Sequence, residues 1–164
     1  AVVLPAATST GSEPELSVRA SVMDTAALDL GESVRILVAD DEPAVARALK
    51  RALKEYDVEV VADGAAALAK WQESSFDLMF CDLMMPGLMG SDVYTALRED
   101  GRGFHERLVF MTGGAFTPEA QRFIDDVPNE LVEKPFDVPA IQALAKRLVS
   151  DLRGSQVGSI QRGA

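Results

Sequence analysis

The chain has 164 residues, 48% of them hydrophobic and 26% charged, with a net charge of −10 and a pI near 4.5. This suits one ordinary domain with peripheral segments, and so acidic a surface argues against a nucleic-acid partner, whose affinity would come largely from Lys and Arg on phosphates. No apolar stretch approaches the ~20 residues of a membrane helix, no basic-then-apolar leader opens the chain, and the lone Cys81 has no internal disulfide partner, so cytoplasmic residence without direct membrane contact is expected.

Residues 7–32 are rich in Ala, Ser, Thr, Glu and Gly without periodicity, and read as a linker with a short helical turn near 23–30. The pattern then changes, and a domain is expected over 33–152. Val34-Arg35-Ile36-Leu37-Val38-Ala39 is a short apolar run of the kind that makes a strand buried on both faces. Asp41-Glu42-Pro43 signals a helix start, and Val45, Leu49 and Leu53 recur at helical spacing behind it. A second strand is predicted over 58–61, with a helix from Asp63-Gly64 to Trp71, and a third strand over 76–81. A loop with Pro86, Gly87 and Gly90 leads to a helix over 91–99, and 108–111 is the fourth strand. Thr117-Pro118-Glu119 opens a helix, 129–133 is the fifth strand, and Ile141, Leu144, Ala145, Leu148 and Leu152 mark one face of the last helix. Residues 153–164 are polar and Gly-rich and are expected to be a disordered tail. Five strands alternating with five helices give an α/β domain built on a doubly wound five-stranded parallel sheet.

Each apolar run ends on a residue able to do chemistry. Asp40 and Asp41 follow the first strand, Asp82 the third and Thr112 the fourth, while Lys134 follows the fifth and precedes Pro135. Ligands of open α/β sheets bind beyond the carboxyl ends of the strands, so these groups are expected to meet in one crevice. Three carboxylates, a hydroxyl and an amine suit a hard cation and a phosphoryl group. Asp82 is then the candidate nucleophile, because a carboxylate can take a phosphoryl group as an aspartyl phosphate. Asp41 and Asp82 are candidate direct ligands of Mg²⁺, with Asp40 acting through a water; Lys134 and Thr112 are candidate partners of the phosphoryl oxygens. Singly, each has a plainer reading: a helix cap for Asp40 and Asp41, a turn residue for Asp82, a loop pair for Thr112-Gly113, a turn for Lys134-Pro135. Cys81 reads as a small core residue and His105 as solvated.

Asp40-Asp41, the run Asp82-Leu83-Met84-Met85-Pro86-Gly87-Leu88-Met89-Gly90, Thr112-Gly113 and Lys134-Pro135-Phe136 together resemble the receiver domain of two-component response regulators. The resemblance implies a flavodoxin-like sheet with strand order 2-1-3-4-5, Mg²⁺ dependence, and phosphorylation of Asp82 by a phosphohistidine donor (a histidine kinase or phosphotransfer domain). It further implies a backbone carbonyl ligand from Met84, a cis Lys134–Pro135 bond, and a downstream protein partner docking around 115–150. One position departs from the family pattern: Leu131 stands where an aromatic ring is common. Residues 1–6, Ala-Val-Val-Leu-Pro-Ala, are similar to the last strand of a histidine kinase ATP-binding domain, and 111–118 to receivers at the C-termini of bacterial hybrid sensor kinases. These two likenesses imply a hybrid-kinase receiver signalling by protein contact. The alternatives are a free-standing single-domain regulator and an inactive receiver kept as a binding module.

Two enzyme-like readings fit less well. A haloacid-dehalogenase-type phosphatase needs an acid two residues after its nucleophile, where Asp82 is followed by Met84. A flavin domain would want Gly, Ser or Thr after the first strand, and Asp40-Asp41-Glu42 would repel its phosphate.

Overall fold

A computed structural model describes residues 33–114 and 117–160, with side chains placed as far as 155. The expectations for 1–32 (a kinase-domain strand, a linker, a helical turn) lie outside the described residues. Five strands, β1 (Arg35–Ala39), β2 (Asp57–Val61), β3 (Leu78–Asp82), β4 (Leu108–Thr112) and β5 (Leu131–Glu133), form one parallel sheet in the order β2-β1-β3-β4-β5. Five helices alternate with them: α1 (Pro43–Ala52), α2 (Gly64–Glu73), α3 (Gly90–Glu99), α4 (Pro118–Asp126) and α5 (Val138–Ile160), with a 3₁₀ turn at Phe104–Arg107. The doubly wound α/β fold is the one expected from the sequence.

Side chains alternate across a strand, so each central strand feeds two cores. Ile36, Val38, Phe80 and Met111 pack toward Leu49 of α1, the C-cap residue Leu53 and Ile141 of α5. Leu37, Ala39, Met79, Cys81 and Phe110 pack on the other face, toward Trp71 of α2 and Leu97 of α3. This double burial is why β1, β3 and β4 read as nearly unbroken apolar runs. Tyr94, Phe110 and Phe123 meet edge-on or tilted at centroid distances of 5.3–6.0 Å and tie α3 and α4 to the sheet.

Local chemistry sets where the helices begin. Asp63 caps α2 through Oδ1, which accepts the Ala66 N–H at 2.7 Å, and Thr117 caps α4 by accepting from Ala120 at 3.2 Å. Pro43 and Pro118 occupy first-turn positions, where a missing N–H costs nothing. Asp137 caps α5, its Oδ2 accepting from Ala140 at 3.2 Å.

The tail expectation needs correction, since α5 continues to Ile160 instead of ending at 152. No proline follows Leu152, so each further residue gains a helical hydrogen bond, and the Ser155 hydroxyl donates to the Asp151 carbonyl at 3.0 Å. The strand ends also differ by a residue. Asp82 and Thr112 are the last residues of β3 and β4, held in the ladder, and this fixes their backbones more firmly than loop positions would. Among the described residues no helix is long and apolar enough to cross a membrane.

Candidate phosphoacceptor site

The parallel register gathers the carboxyl ends of four strands. Asp40 leaves β1 with its N–H on the Val61 carbonyl at 3.1 Å, and Leu83, just after Asp82, donates to Met111 of β4 at 2.9 Å. Lys134 leaves β5 with its N–H on the Thr112 carbonyl at 2.7 Å. The Lys134–Pro135 peptide is cis, as expected.

Three carboxylates then surround one ammonium. Lys134 Nζ lies 2.8 Å from Asp40 Oδ2, 2.9 Å from Asp82 Oδ2 and 3.3 Å from Glu42 Oε1. The side chains of Asp40, Asp82 and Lys134 are 0%, 6% and 9% exposed, whereas that of Glu42 is 61% exposed and forms the open side of the group. Backbone donors hold the carboxylates: Glu42 N–H reaches Asp40 Oδ1 at 2.8 Å and Met84 N–H reaches Asp82 Oδ1 at 3.1 Å. Thr112 is fully buried, and its Oγ1 accepts the Gly114 N–H at 3.2 Å.

Burial pushes the Asp40 carboxyl above the usual carboxylate range, against the pull of Lys134 and the Glu42 N–H. Burial alone would lower the Lys134 ammonium, but its bonds to Asp40 and Asp82 and their charges outweigh that and raise it. The cluster therefore keeps a cation among its acids across the neutral range. Oxygen atoms of Asp40, Glu42 and Asp82 all lie within 4.8 Å of one another, and an all-carboxylate donor set fits a hard divalent cation such as Mg²⁺.

The chain matches the family model of the response regulator receiver domain over residues 36–146. It belongs to that family. Among curated relatives, the receiver is 36% identical over 104 residues to the DNA-binding response regulator MtrA of Mycolicibacterium smegmatis, covering 62% of this chain and 44% of that one. It is 34% identical over 117 residues to the transcriptional regulatory protein TcrA of Mycobacterium tuberculosis, covering 70% of this chain and 46% of that one. The chain thus spans less than half the length of these relatives. Among solved structures, the chemotaxis protein CheY4 of Vibrio cholerae superposes with a TM-score of 0.63 at 26% identity, over 71% of this chain and 99% of that one. A receiver of a LuxO repressor protein from Vibrio parahaemolyticus reaches 0.68 at 20% identity, over 77% of this chain and 97% of that one.

The structure brings Asp40, Asp82 and Lys134 together as the sequence predicts, and places Thr112 at the end of the neighbouring strand β4, its carbonyl on the Lys134 N–H and its Oγ1 on the Gly114 N–H. Asp41 is different. It is exposed, and among the described residues the tight carboxylate group holds Glu42 in its place. The turn closed by the Glu42 N–H on Asp40 swings Glu42 back over Lys134, a relationship between residues two apart that the sequence signals only as a helix start. His105 is not simply solvated either. Its Nδ1 is buried and its ring stands edge-on to Tyr94 at 5.3 Å, because the 3₁₀ turn tucks it against α3. Leu131 is partly buried, lies opposite Phe110 in the β4–β5 ladder and packs against the core that also holds Tyr94.

Proposed function

We propose that this receiver accepts a phosphoryl group on Asp82 in a His-to-Asp relay. The observation that carries the reading is the Lys134 ammonium held within 2.9 Å of both Asp40 and Asp82 at the carboxyl ends of the strands. Phosphoryl transfer needs positioning and charge neutralisation more than acid–base chemistry, and a nucleophile beside a fixed cation provides both.

An Asp82 oxygen attacks phosphorus, the new O–P bond forms as the bond to the donor breaks, and the leaving group keeps the electron pair. Asp40 and Asp82 of the carboxylate group would hold Mg²⁺, joined by the Met84 carbonyl and by Asp41, whose side chain is exposed in this structure and would have to turn inward, and Glu42 stands at the outer edge of that set. Bound there, the ion supplies positive charge against the phosphoryl oxygens. Lys134 exchanges a carboxylate partner for a phosphoryl oxygen. Thr112 Oγ1 already accepts from Gly114, which leaves its own O–H to donate to another phosphoryl oxygen.

Within this reading the donor is a phosphohistidine kinase or phosphotransfer domain, the setting is cytoplasmic, and phosphorylation is read by a downstream partner. The likeness to MtrA, a DNA-binding response regulator, and to the transcriptional regulatory protein TcrA supports a response regulator over the receiver of a hybrid sensor kinase. They also count against the expectation of no nucleic-acid partner for the whole protein, since MtrA is described as DNA-binding; the acidic-surface argument reaches only this domain. The test is intact mass after incubation with acetyl phosphate, with and without Mg²⁺. A Mg²⁺-dependent gain of one phosphoryl group that Asp82→Asn lacks supports the reading, and no gain favours a receiver acting only as a binding module.

A further inference from the structure

We propose that Glu42 is a specificity-determining residue that discriminates phosphodonors by their charge. The inference rests on the phosphoacceptor reading of Asp82 and adds a residue to it. Lys134 can neutralise only one of the three carboxylates around it, and Glu42 is the one largely exposed member of the group. A donor approaching Asp82 from solvent meets the Glu42 carboxylate first. That carboxylate also holds Lys134 at 3.3 Å from the open side, so an incoming phosphoryl group must compete with it for the ammonium. The side chain makes no cap bond to α1, which frees it to be replaced without loss of the helix start.

The size of the effect follows from Coulomb's law. With water-like screening at roughly 6 Å, one unit charge slows a dianionic donor about tenfold and a monoanionic donor about threefold. The experiment compares wild type and Glu42→Gln for phosphoryl uptake from acetyl phosphate, a dianion near neutral pH, and from phosphoramidate, a monoanion. Donors are kept below saturation at fixed Mg²⁺, with a melting curve of each protein as a fold control. Glu42→Gln should accelerate uptake about tenfold from the first donor and about threefold from the second, and most of both gains should vanish near 1 M salt, where the screening length falls to about 3 Å. Equal acceleration with both donors, or none, would overturn the role of Glu42 while leaving Asp82 as acceptor. Wild-type protein that takes phosphoryl from neither donor would overturn both.

Discussion

Lys134 Nζ and Asp82 Oδ2 lie 2.9 Å apart although 52 residues separate them in the chain. The β4–β5 register produces this meeting, through the Lys134 N–H on the Thr112 carbonyl. Because Asp40 and Asp82 are both buried, Lys134→Ala leaves two carboxylates with their main counter-charge gone. Urea unfolding in metal-free buffer at neutral pH should show a loss of about 3 kcal/mol, the low end for breaking a buried ion pair. Asp82→Asn removes a negative charge from the same cluster and should lose much less. Equal losses for the two variants would mean that the ion pair is not what balances the site.

Gly90 lets α3 approach the acceptor. A Cβ there would sit 2.6 Å from the Asp82 carbonyl oxygen and 3.0 Å from Leu83 Cα, both backbone atoms that cannot rotate away. Gly90→Ala should therefore cost about 1–3 kcal/mol by overpacking, and should slow phosphoryl uptake by displacing the backbone of Asp82. Denaturant melts and uptake kinetics check the two effects separately. Gly87→Ala is the comparison: nothing lies within 4 Å of its Cβ position, and its positive φ of 83° leaves only backbone strain away from Asp82.

Cys81 is fully buried in β3, where burial, with the charges of Asp82 and Asp40, pushes its thiol up to about 12. Thiolate is the reactive form, so native protein should resist iodoacetamide at pH 8. Alkylation should follow global unfolding and so track the urea transition. Rapid labelling of the native state would show that β3 opens locally.

Glu59 on β2 pairs with Lys70 at 3.0 Å and with Arg35, and its carboxyl is held below the usual range chiefly by the Lys70 hydrogen bond, against burial, with help from the Lys70 charge and Arg35. The sign of the linkage follows: this contribution is present above the ordinary carboxylate pKa and is lost as pH falls through the lowered value. Glu59→Gln should be less stable than wild type at pH 7, by no more than about 1 kcal/mol for a partly exposed pair. That difference should shrink toward zero in acid, as urea midpoints at several pH values would show.

Much of the fold was legible because β1, β3 and β4 are buried on both faces and so are apolar at nearly every position. β2 and β5 were less sharply bounded, since Asp57 and Glu59 of β2 and Glu133 of β5 lie at least partly in solvent and break the pattern. The end of α5 was misplaced because glycines at 154 and 158 suggest a stop, and intrinsic propensity is too weak to enforce one. In the site, Asp40, Asp82, Thr112 and Lys134 were readable from their places at strand ends. Glu42 was not, because its contact with Lys134 spans 92 residues and depends on the turn after Asp40. The buried Nδ1 of His105 was equally hidden, being set by the packing of the 3₁₀ turn against Tyr94.

The most direct test of the central claim locates the phosphoryl group. Protein incubated with acetyl phosphate and Mg²⁺ would be reduced with borohydride, which converts an aspartyl phosphate to homoserine, and mapped by peptide mass. The account predicts homoserine at position 82 and nowhere else, lost when Mg²⁺ is withheld. Homoserine at position 40 or 41, or none despite a gain in intact mass, would contradict it.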